Sequence, residues 1–291
     1  MLKTVWGLLA VLVIVGVFAM RTASSVIEGN PTAVASYHQW VRLGGRTNCF
    51  VWGSVDSTAR YSWSGACISG KAHGEGVLVE TRRGDSARIK GTLKKGKFHG
   101  HVDAAGFDGA SFVGEYRNGL KNGHGIFTFP SGNRYEGEFK DGNMNGQGVL
   151  IFAEGHRYDG AWKNGKQHGR GRMTWNDGDQ YAGQYKDGVV NGLGTYFFAD
   201  GDRYDGDFKN DAKHGTGTFH SADGYTYEGD WQNDQIAGRG TFTWRTAGWE
   251  GHQWKGEFVD SKQHGDGTWI SPDGQKVALQ AHEGEWVNCP A

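Results

Sequence analysis

The sequence has almost no net charge, no collagen-like triplets and no room for a separate catalytic domain. Its 31 basic residues nearly balance its 32 acidic ones, so net charge indicates no strongly charged partner such as nucleic acid. Glycine does not recur in Gly-X-Y triplets and 13% of the residues are aromatic, which excludes collagen and general disorder. Since a repeated phrase fills most of the chain, no catalytic domain of ordinary size fits beside it.

What the sequence does have is glycine, 50 of 291 residues, arranged in a repeated phrase. The phrase is clearest over Tyr135–Gly148, YEGEFKDGNMNGQG. A fixed period near 23 residues is typical of one supersecondary unit stacked into an array, so function is expected on an extended surface. Copies begin at Trp63, Ile89, Phe112, Tyr135, Tyr158, Tyr181, Tyr204, Tyr227, Trp254 and, truncated, His282.

One repeat predicts two short strands and two turns. In Tyr158–Lys163 the aromatic residues and glycine alternate with polar residues, as on a strand. Asn164-Gly165 then predicts a hairpin turn, Gly169–Trp175 a second strand, and Asp177-Gly178 a second turn. The chain is therefore expected to be a β-meander. Its strand glycines should let the rings of one repeat lie flat on the backbone of the next, in place of a second layer.

The phrase Y-x-G-x-[WF]-x-x-G-x-x-x-G-x-G at this spacing resembles the MORN repeat (membrane occupation and recognition nexus) over residues 63–289. The resemblance implies an all-β fold, an elongated single-layer antiparallel β-meander of stacked hairpins, used for binding or scaffolding. Cys67 and Leu93 depart from the aromatic pattern, as expected of an array end. Three residues replace the turn glycine: Asp211, Asp234 and Ser261.

The N-terminus has a different character. Residues 5–20 carry no charge and lie between Lys3 and Arg21, which predicts an apolar helix serving for export, either an uncleaved anchor or a cleaved signal peptide. The domains expected are therefore the export segment 1–25, a linker 26–46, a capping strand 47–62 and an array 63–291 of nine repeats and a truncated tenth. A bacterial-type protein is expected in the inner membrane with its repeats in the periplasm, or free in the periplasm after cleavage.

Three cysteines bear on the compartment. Cys49 and Cys67 would face each other if Cys49–Val55 and Tyr61–Cys67 paired in a hairpin centred on Thr58, within reach of a disulfide. A disulfide would suit an oxidising compartment; the alternative is two reduced, small apolar residues. Cys289 is left over and lies too far along the array to join them, so it could link a dimer.

The aromatic residues of the first strand of each repeat are the best candidates for ligand contact. Most of them are expected to pack on glycine, but a single-layer sheet cannot bury every ring. Part of the stripe is therefore expected to line an exposed groove. Its members are Tyr135, Phe139, Tyr158, Trp162, Tyr181, Tyr185, Tyr204, Phe208, Tyr227 and Trp231.

Five histidines share one position, just before a repeat glycine, where other copies have asparagine. Since both residue types tolerate positive φ, the position predicts a turn rather than a metal site or a catalytic base. The five are His73, His99, His168, His214 and His264. On the polar face, rows of carboxylates lie beside rows of lysines, which favours cross-strand pairs over acid–base catalysis.

Basic residues concentrate in the first two repeats with only Asp85 among them. The run from Arg82 to Arg88 predicts an enlarged loop, and contact with anionic headgroups is one hypothesis for it; solubility is the other. The candidates are Arg82, Arg83, Arg88, Lys90, Lys94, Lys95 and Lys97.

These patterns together predict a non-catalytic binding scaffold of the cell envelope without a cofactor or metal. Its partner would be a protein or an envelope glycan or lipid, and the N-terminal segment would contact the membrane. The alternative is an enzyme, an envelope-polymer hydrolase or a lipid-modifying enzyme that uses the repeat face. An enzyme would need a pocket of unlike residues, whereas the polar groups here recur as rows.

Overall fold

The computed structural model describes residues 38–46, 48–54 and 58–286. These residues form 23 β-strands and no helix, so none of them supplies a helix that could cross a membrane. The apolar segment at residues 5–20 lies outside them, and the export signal and its helix therefore stay predictions. The chain divides into an N-terminal unit, Ser25–Asn176, and a C-terminal unit that contains Asp177–Ala291.

The N-terminal unit holds thirteen strands. Consecutive strands from β5 onward pair antiparallel, and β3 and β4 both pair with β5. The strands are β1 His38–Arg42, β2 Phe50–Ser54, β3 Arg60–Trp63, β4 Ala66–Ile68, β5 Lys71–Arg82, β6 Asp85–Lys94, β7 Lys97–Ala105, β8 Ser111–Arg117, β9 Leu120–Thr128, β10 Arg134–Lys140, β11 Asn143–Ile151, β12 Arg157–Lys163 and β13 Lys166–Thr174.

The C-terminal unit continues the same pattern of antiparallel neighbours. This pairing confirms the predicted all-β meander in both units. The strands are β14 Gln180–Lys186, β15 Val189–Phe197, β16 Arg203–Lys209, β17 Ala212–His220, β18 Tyr225–Gln232, β19 Gln235–Trp244, β20 Gln253–Val259, β21 Lys262–Ile270, β22 Lys276–His282 and β23 Glu285–Trp286.

Both predicted turns of the repeat are present. In the hairpin turn Asn118 and Gly119 have φ of 54° and 85°, and Asp141 and Gly142 have 49° and 91°. Two consecutive positive φ values define the turn that matches the twist of paired strands. Gly132, whose φ is 89°, is one of the glycines at the second turn.

The shared histidine position does not have the predicted turn conformation. None of the five histidines has positive φ; the glycine that follows each does, for instance Gly169 at 76° after His168. The cause is a β-bulge, which shifts the register between Gly160 and Trp162 on the facing strand. A bulge leaves one residue unpaired and commonly places glycine at positive φ.

Within each unit, the hairpin turns also bond to the preceding repeat. Gly142 N–H donates to the carbonyl of Lys121 at 2.9 Å. Where Asp234 replaces this glycine it keeps a φ of 68° and adds a second bond, because its carboxylate accepts the Lys213 N–H at 2.9 Å. The aspartates are therefore a variation of the turn, stabilised by their own side chains, rather than a defect of it.

The core of each repeat is one ring laid across its own hairpin. A Cβ added to Gly137 would lie 2.6 Å from the Tyr135 hydroxyl, and a ring carbon of Tyr135 lies 2.6 Å from where a Cβ on Gly148 would be. The hydroxyl donates to the Glu138 carbonyl at 3.0 Å. Glycine thus seats the ring as predicted, but within the same repeat rather than on the next.

The N-terminal end differs from the sequence expectation. Residues 38–42, for which the sequence predicts a linker, form β1 and pair with β2. The strand β2 meets β5 in a parallel bridge at Phe50 and Lys71 and does not form the predicted hairpin with β3. Cys49 and Cys67 are nevertheless disulfide-bonded, with Cα atoms 6.0 Å apart, because Cys67 lies on β4 beside β5.

Reducing the disulfide is expected to destabilise the N-terminal unit by about 3 kcal/mol, since the bond closes a chain segment of 18 residues and constrains the unfolded state. Cys49 is fully buried against Leu43 and Val51, so Cys49→Ala with Cys67→Ala adds a small cavity cost. Urea unfolding with and without reductant measures the loss. An unchanged midpoint would show that β1 and β2 hold this end without the bond.

The last repeat starts earlier than predicted. Val277 faces Trp269 and Ala281 faces Gly265, the register that Trp254 and Phe258 have with Phe242 and Gly238. The final copy therefore begins at Val277 rather than His282. Its aromatic positions hold Val277 and Ala281, yet Trp254 of the preceding repeat is still fully buried.

Candidate functional site

The predicted aromatic stripe is buried, and the expectation that it lines an exposed groove is wrong. Within each unit, rings of the same and the following repeat shield the tyrosines: Tyr135 lies 5.1 Å from Phe139 and 5.3 Å from Trp162, both edge to face. The exposed fractions lie between 0% and 4% for Tyr135, Phe139, Tyr158, Trp162, Tyr181, Tyr185, Tyr204, Phe208, Tyr227 and Trp231.

The seven basic candidates are not brought together. Arg82 and Arg83 lie at one end of β6, in a tight hairpin where an enlarged loop was predicted; Arg82 pairs with Glu80 at 2.7 Å. Lys94, Lys95 and Lys97 lie at the other end, about 30 Å away for a strand of this length. Between these ends, Arg88 and Lys90 are exposed on β6, and Lys90 faces Asp103 in register.

At the bulges, carboxylates of the polar face accept hydrogen bonds from the backbone. Glu138 accepts the Gln147 N–H at 3.0 Å, and Asp230 accepts the Arg239 N–H at 2.8 Å. These are backbone groups that the bulge leaves without a ladder partner. Because these carboxylates bind the backbone, they are poor candidates for acid–base catalysis.

Aromatic side chains that remain partly exposed lie instead at the ends of the second strands, in the following turns and, for Tyr225, at the start of the next strand. In the C-terminal unit they form a row that we call the aromatic ridge. Each member is half-buried, between the fully buried core rings and the open surface. The ridge consists of Phe198, Tyr225, Trp244, Trp249, His252 and Trp269.

The ridge is widest where the period lengthens to 27 residues. Regular repeats close the second turn in five residues, with Phe152 N–H donating to the His156 carbonyl at 2.9 Å. In the longer copy Trp244 N–H donates to the His252 carbonyl at 3.0 Å. The four extra residues therefore leave the closure intact and add Trp249.

The extended loop has a defined backbone. Trp249 N–H donates to the Thr246 carbonyl, Gly251 N–H to the Trp244 carbonyl, and His252 N–H to the Trp249 carbonyl, all between 2.9 and 3.1 Å. Its first residue, Arg245, donates to the carbonyl of Gly224 in the preceding turn. The loop thus presents Trp249 on a fixed support, which lowers the entropy cost of binding.

The rings of this end pack against one another. Trp269 is 5.1 Å from Trp244, 5.8 Å from Trp249 and 5.3 Å from His252. The planes of Trp249 and Trp269 are perpendicular. Centroids this close leave no space for a ligand between the rings. The ligand surface is therefore the outer faces and edges of the cluster.

The chemistry of the ridge is that of a contact surface. Among the described residues no group of three or more His, Cys, Asp and Glu side chains could hold a metal. Burial raises the pKa of Tyr225, so its hydroxyl stays neutral and able to donate. The ridge can offer large, rigid apolar area with a few hydrogen-bond donors, a combination that suits association.

Sequence reasoning placed the exposed rings on the wrong strand. The first-strand aromatics recur in every copy and so dominated the pattern, whereas the ridge positions vary, with Ser221 and Ser271 in the slot of Trp244. The longer period between Tyr227 and Trp254 was visible in the sequence. Insertions in repeat arrays map to loops on one face. An insertion that contains a tryptophan therefore indicates an exposed aromatic side chain at that loop.

Comparison with known families gives one match. Seven copies of the MORN repeat are found at residues 112–134, 135–157, 158–180, 181–203, 204–224, 227–247 and 254–276, more than half of the chain. The chain belongs to the MORN-repeat family. No curated protein sequence matches it.

Solved structures give weaker likenesses. The TCP domain of SAS-4 from Drosophila melanogaster, solved with a proline-rich motif of Ana2, is 11% identical with a TM-score of 0.35, covering 62% of this chain and 90% of that one. The TCP10 domain of Danio rerio CPAP is 11% identical with a TM-score of 0.30, covering 67% and 95%. TM-scores this low carry no conclusion about a partner.

Proposed function

We propose that this MORN-repeat protein is a non-catalytic scaffold of the cell envelope that binds a protein partner through the aromatic ridge. The observation that carries the proposal is the half-buried tryptophan cluster in which Trp249, on a loop that regular repeats lack, packs beside Trp244 and Trp269 at the ends of β19 and β21. Tryptophans are enriched among the residues that dominate protein–protein affinity.

The placement in the envelope rests on two features. The uncharged run at residues 5–20 has the character of an export segment. The disulfide between Cys49 and Cys67 suits an oxidising compartment. A scaffold role fits the polar face, where carboxylates such as Glu138 bind the backbone instead of converging on a pocket.

Trp249→Ala is expected to lower affinity for the partner at least tenfold, since removal of an interfacial anchor typically costs about 2 kcal/mol or more. The fold should persist, because regular repeats close the same turn without this residue. The measurement is affinity capture from envelope extracts with tagged full-length protein, followed by titration of the recovered protein.

Phe197→Ala is the matched control. Phe197 is 41% exposed in the same unit, next to buried Tyr196 on β15 and so on the other face of the sheet. It should retain the partner at wild-type levels. Equal recovery by wild type and Trp249→Ala would refute the ridge as the site, and recovery of only glycan or lipid would refute a protein partner.

A further inference from the structure

One side chain of the N-terminal unit has an environment that neither the fold nor the scaffold role requires. Lys121 lies on β9, facing Tyr116 across the hairpin. Its Nζ is 3.7 Å from the ring centroid of Phe127, 5.1 Å from that of Phe112 and 5.8 Å from that of Phe139. Three phenyl rings therefore surround the amine.

The same position in other repeats shows that a lysine is not needed there. Met144 faces Phe139 in the register that Lys121 has with Tyr116, and Val190 faces Tyr185 likewise. Both are buried apolar residues, 1% and 3% exposed. An apolar side chain thus satisfies the packing, and the lysine adds a nucleophile.

The amine has no carboxylate partner. No ion pair joins Lys121 to an acidic side chain within the described residues. Burial lowers its pKa to about 8, because the charged form loses hydration. The rings attract the ammonium and oppose this shift only in part. Lys121 as a whole is half-buried rather than fully enclosed, unlike Lys213, which is 3% exposed.

We propose that Lys121 is a covalent modification site that forms an imine with small apolar aldehydes, which its ring-lined surroundings select. The neutral amine attacks the carbonyl carbon and forms a C–N bond. The carbonyl oxygen then leaves as water with both amine protons, and a C=N bond remains. No oxidant or reductant takes part. The substituent comes to lie beside Phe127, the nearest of the three rings and the one that is half-buried.

The test is benzaldehyde labelling of the full-length, disulfide-bonded protein, with the imine trapped by cyanoborohydride and located by peptide mass mapping. At pH 7.5 the neutral fraction of an amine with pKa 8 is about two hundred times that of an ordinary lysine. Lower basicity and crowding offset part of this, so we expect Lys121 to react roughly tenfold faster than exposed Lys140 and Lys163. Its rate should reach half of its maximum near pH 8.

Two controls show whether the labelling is specific to Lys121. Lys213 occupies the same register position and is also ringed by aromatic side chains, but it is only 3% exposed, so it should react more slowly than Lys140. Lys121→Met, copying Met144, should remove the fast-labelled peptide without unfolding. The proposal is wrong if wild-type Lys121 reacts no faster than Lys140, or if it stays unlabelled up to pH 9.

Discussion

Gly160→Val should destabilise the N-terminal unit by about 4 kcal/mol or more, beyond the usual cost of overpacking a core. A Cβ at this position would lie 2.5 Å from the Gly171 Cα, 2.7 Å from the Arg170 carbonyl oxygen and 2.8 Å from the Tyr158 hydroxyl. Two of these atoms belong to the backbone, so they can move away only if the whole strand moves. Displacing Tyr158 would also break its bond to the Ala161 carbonyl. Urea unfolding followed by circular dichroism measures the loss.

Gly53→Val is the matched control for this substitution. Gly53 also lies on a strand, β2, but a Cβ there would meet nothing within 4 Å, and its φ is not positive. We expect a change within about 0.5 kcal/mol at such a site. If the two variants lose similar stability, the cost at Gly160 comes from β-strand glycine in general and not from seating the ring.

Most of the repeat could be predicted from sequence because its determinants are local. Asn118-Gly119 specifies its own turn, and Gly137 and Gly148 lie within one hairpin of Tyr135. Errors arose where pairing is not local. The parallel bridge of Phe50 to Lys71 and the final register at Val277 depend on strands whose pairing no short pattern specifies.

The exposed surface was harder to predict for a different reason. A flat single layer would leave Tyr135 open on one side, but Trp162 from the next repeat comes within 5.3 Å and covers it. Because a ring of one repeat covers a ring of another, the burial of these side chains cannot be predicted from a single copy of the repeat. The ridge residues Trp244 and Trp269 stay half-exposed because they lie at strand ends, where only turns cover them.

Steep unfolding in alkali is expected from the buried tyrosines. Burial raises the pKa of six phenols, so the folded state keeps protons that the unfolded state releases near pH 10. Stability is therefore intact below pH 10 and falls above it, by about 1.4 kcal/mol per pH unit for each group, or about 8 for all six. The six are Tyr116, Tyr135, Tyr181, Tyr204, Tyr225 and Tyr227.

Hydrogen bonding adds to the effect. The Tyr227 hydroxyl donates to the Asp230 carbonyl at 3.1 Å, and a phenolate cannot donate. The rings of Phe208 and Trp231 pack edge-on against Tyr204, and neither can donate a hydrogen bond from that contact to a phenolate. Ionisation thus requires opening of the repeat, and tyrosine absorbance at 295 nm should rise together with the loss of circular dichroism.

The buried lysines act in the opposite direction over a lower range. Burial lowers the pKa of Lys121 to about 8 and also lowers that of Lys213, with Asp234 and Asp202 opposing the shift. The unfolded state binds these protons more tightly, so stability should rise from pH 8 toward 10 before the tyrosines reverse it. Lys121→Met should flatten the rise, whereas Tyr227→Phe should lower the alkaline slope by about 1.4 kcal/mol per pH unit. A stability curve that falls steadily from pH 8 would contradict the lysine assignment, and tyrosines that titrate near pH 10 without unfolding would contradict the buried phenols.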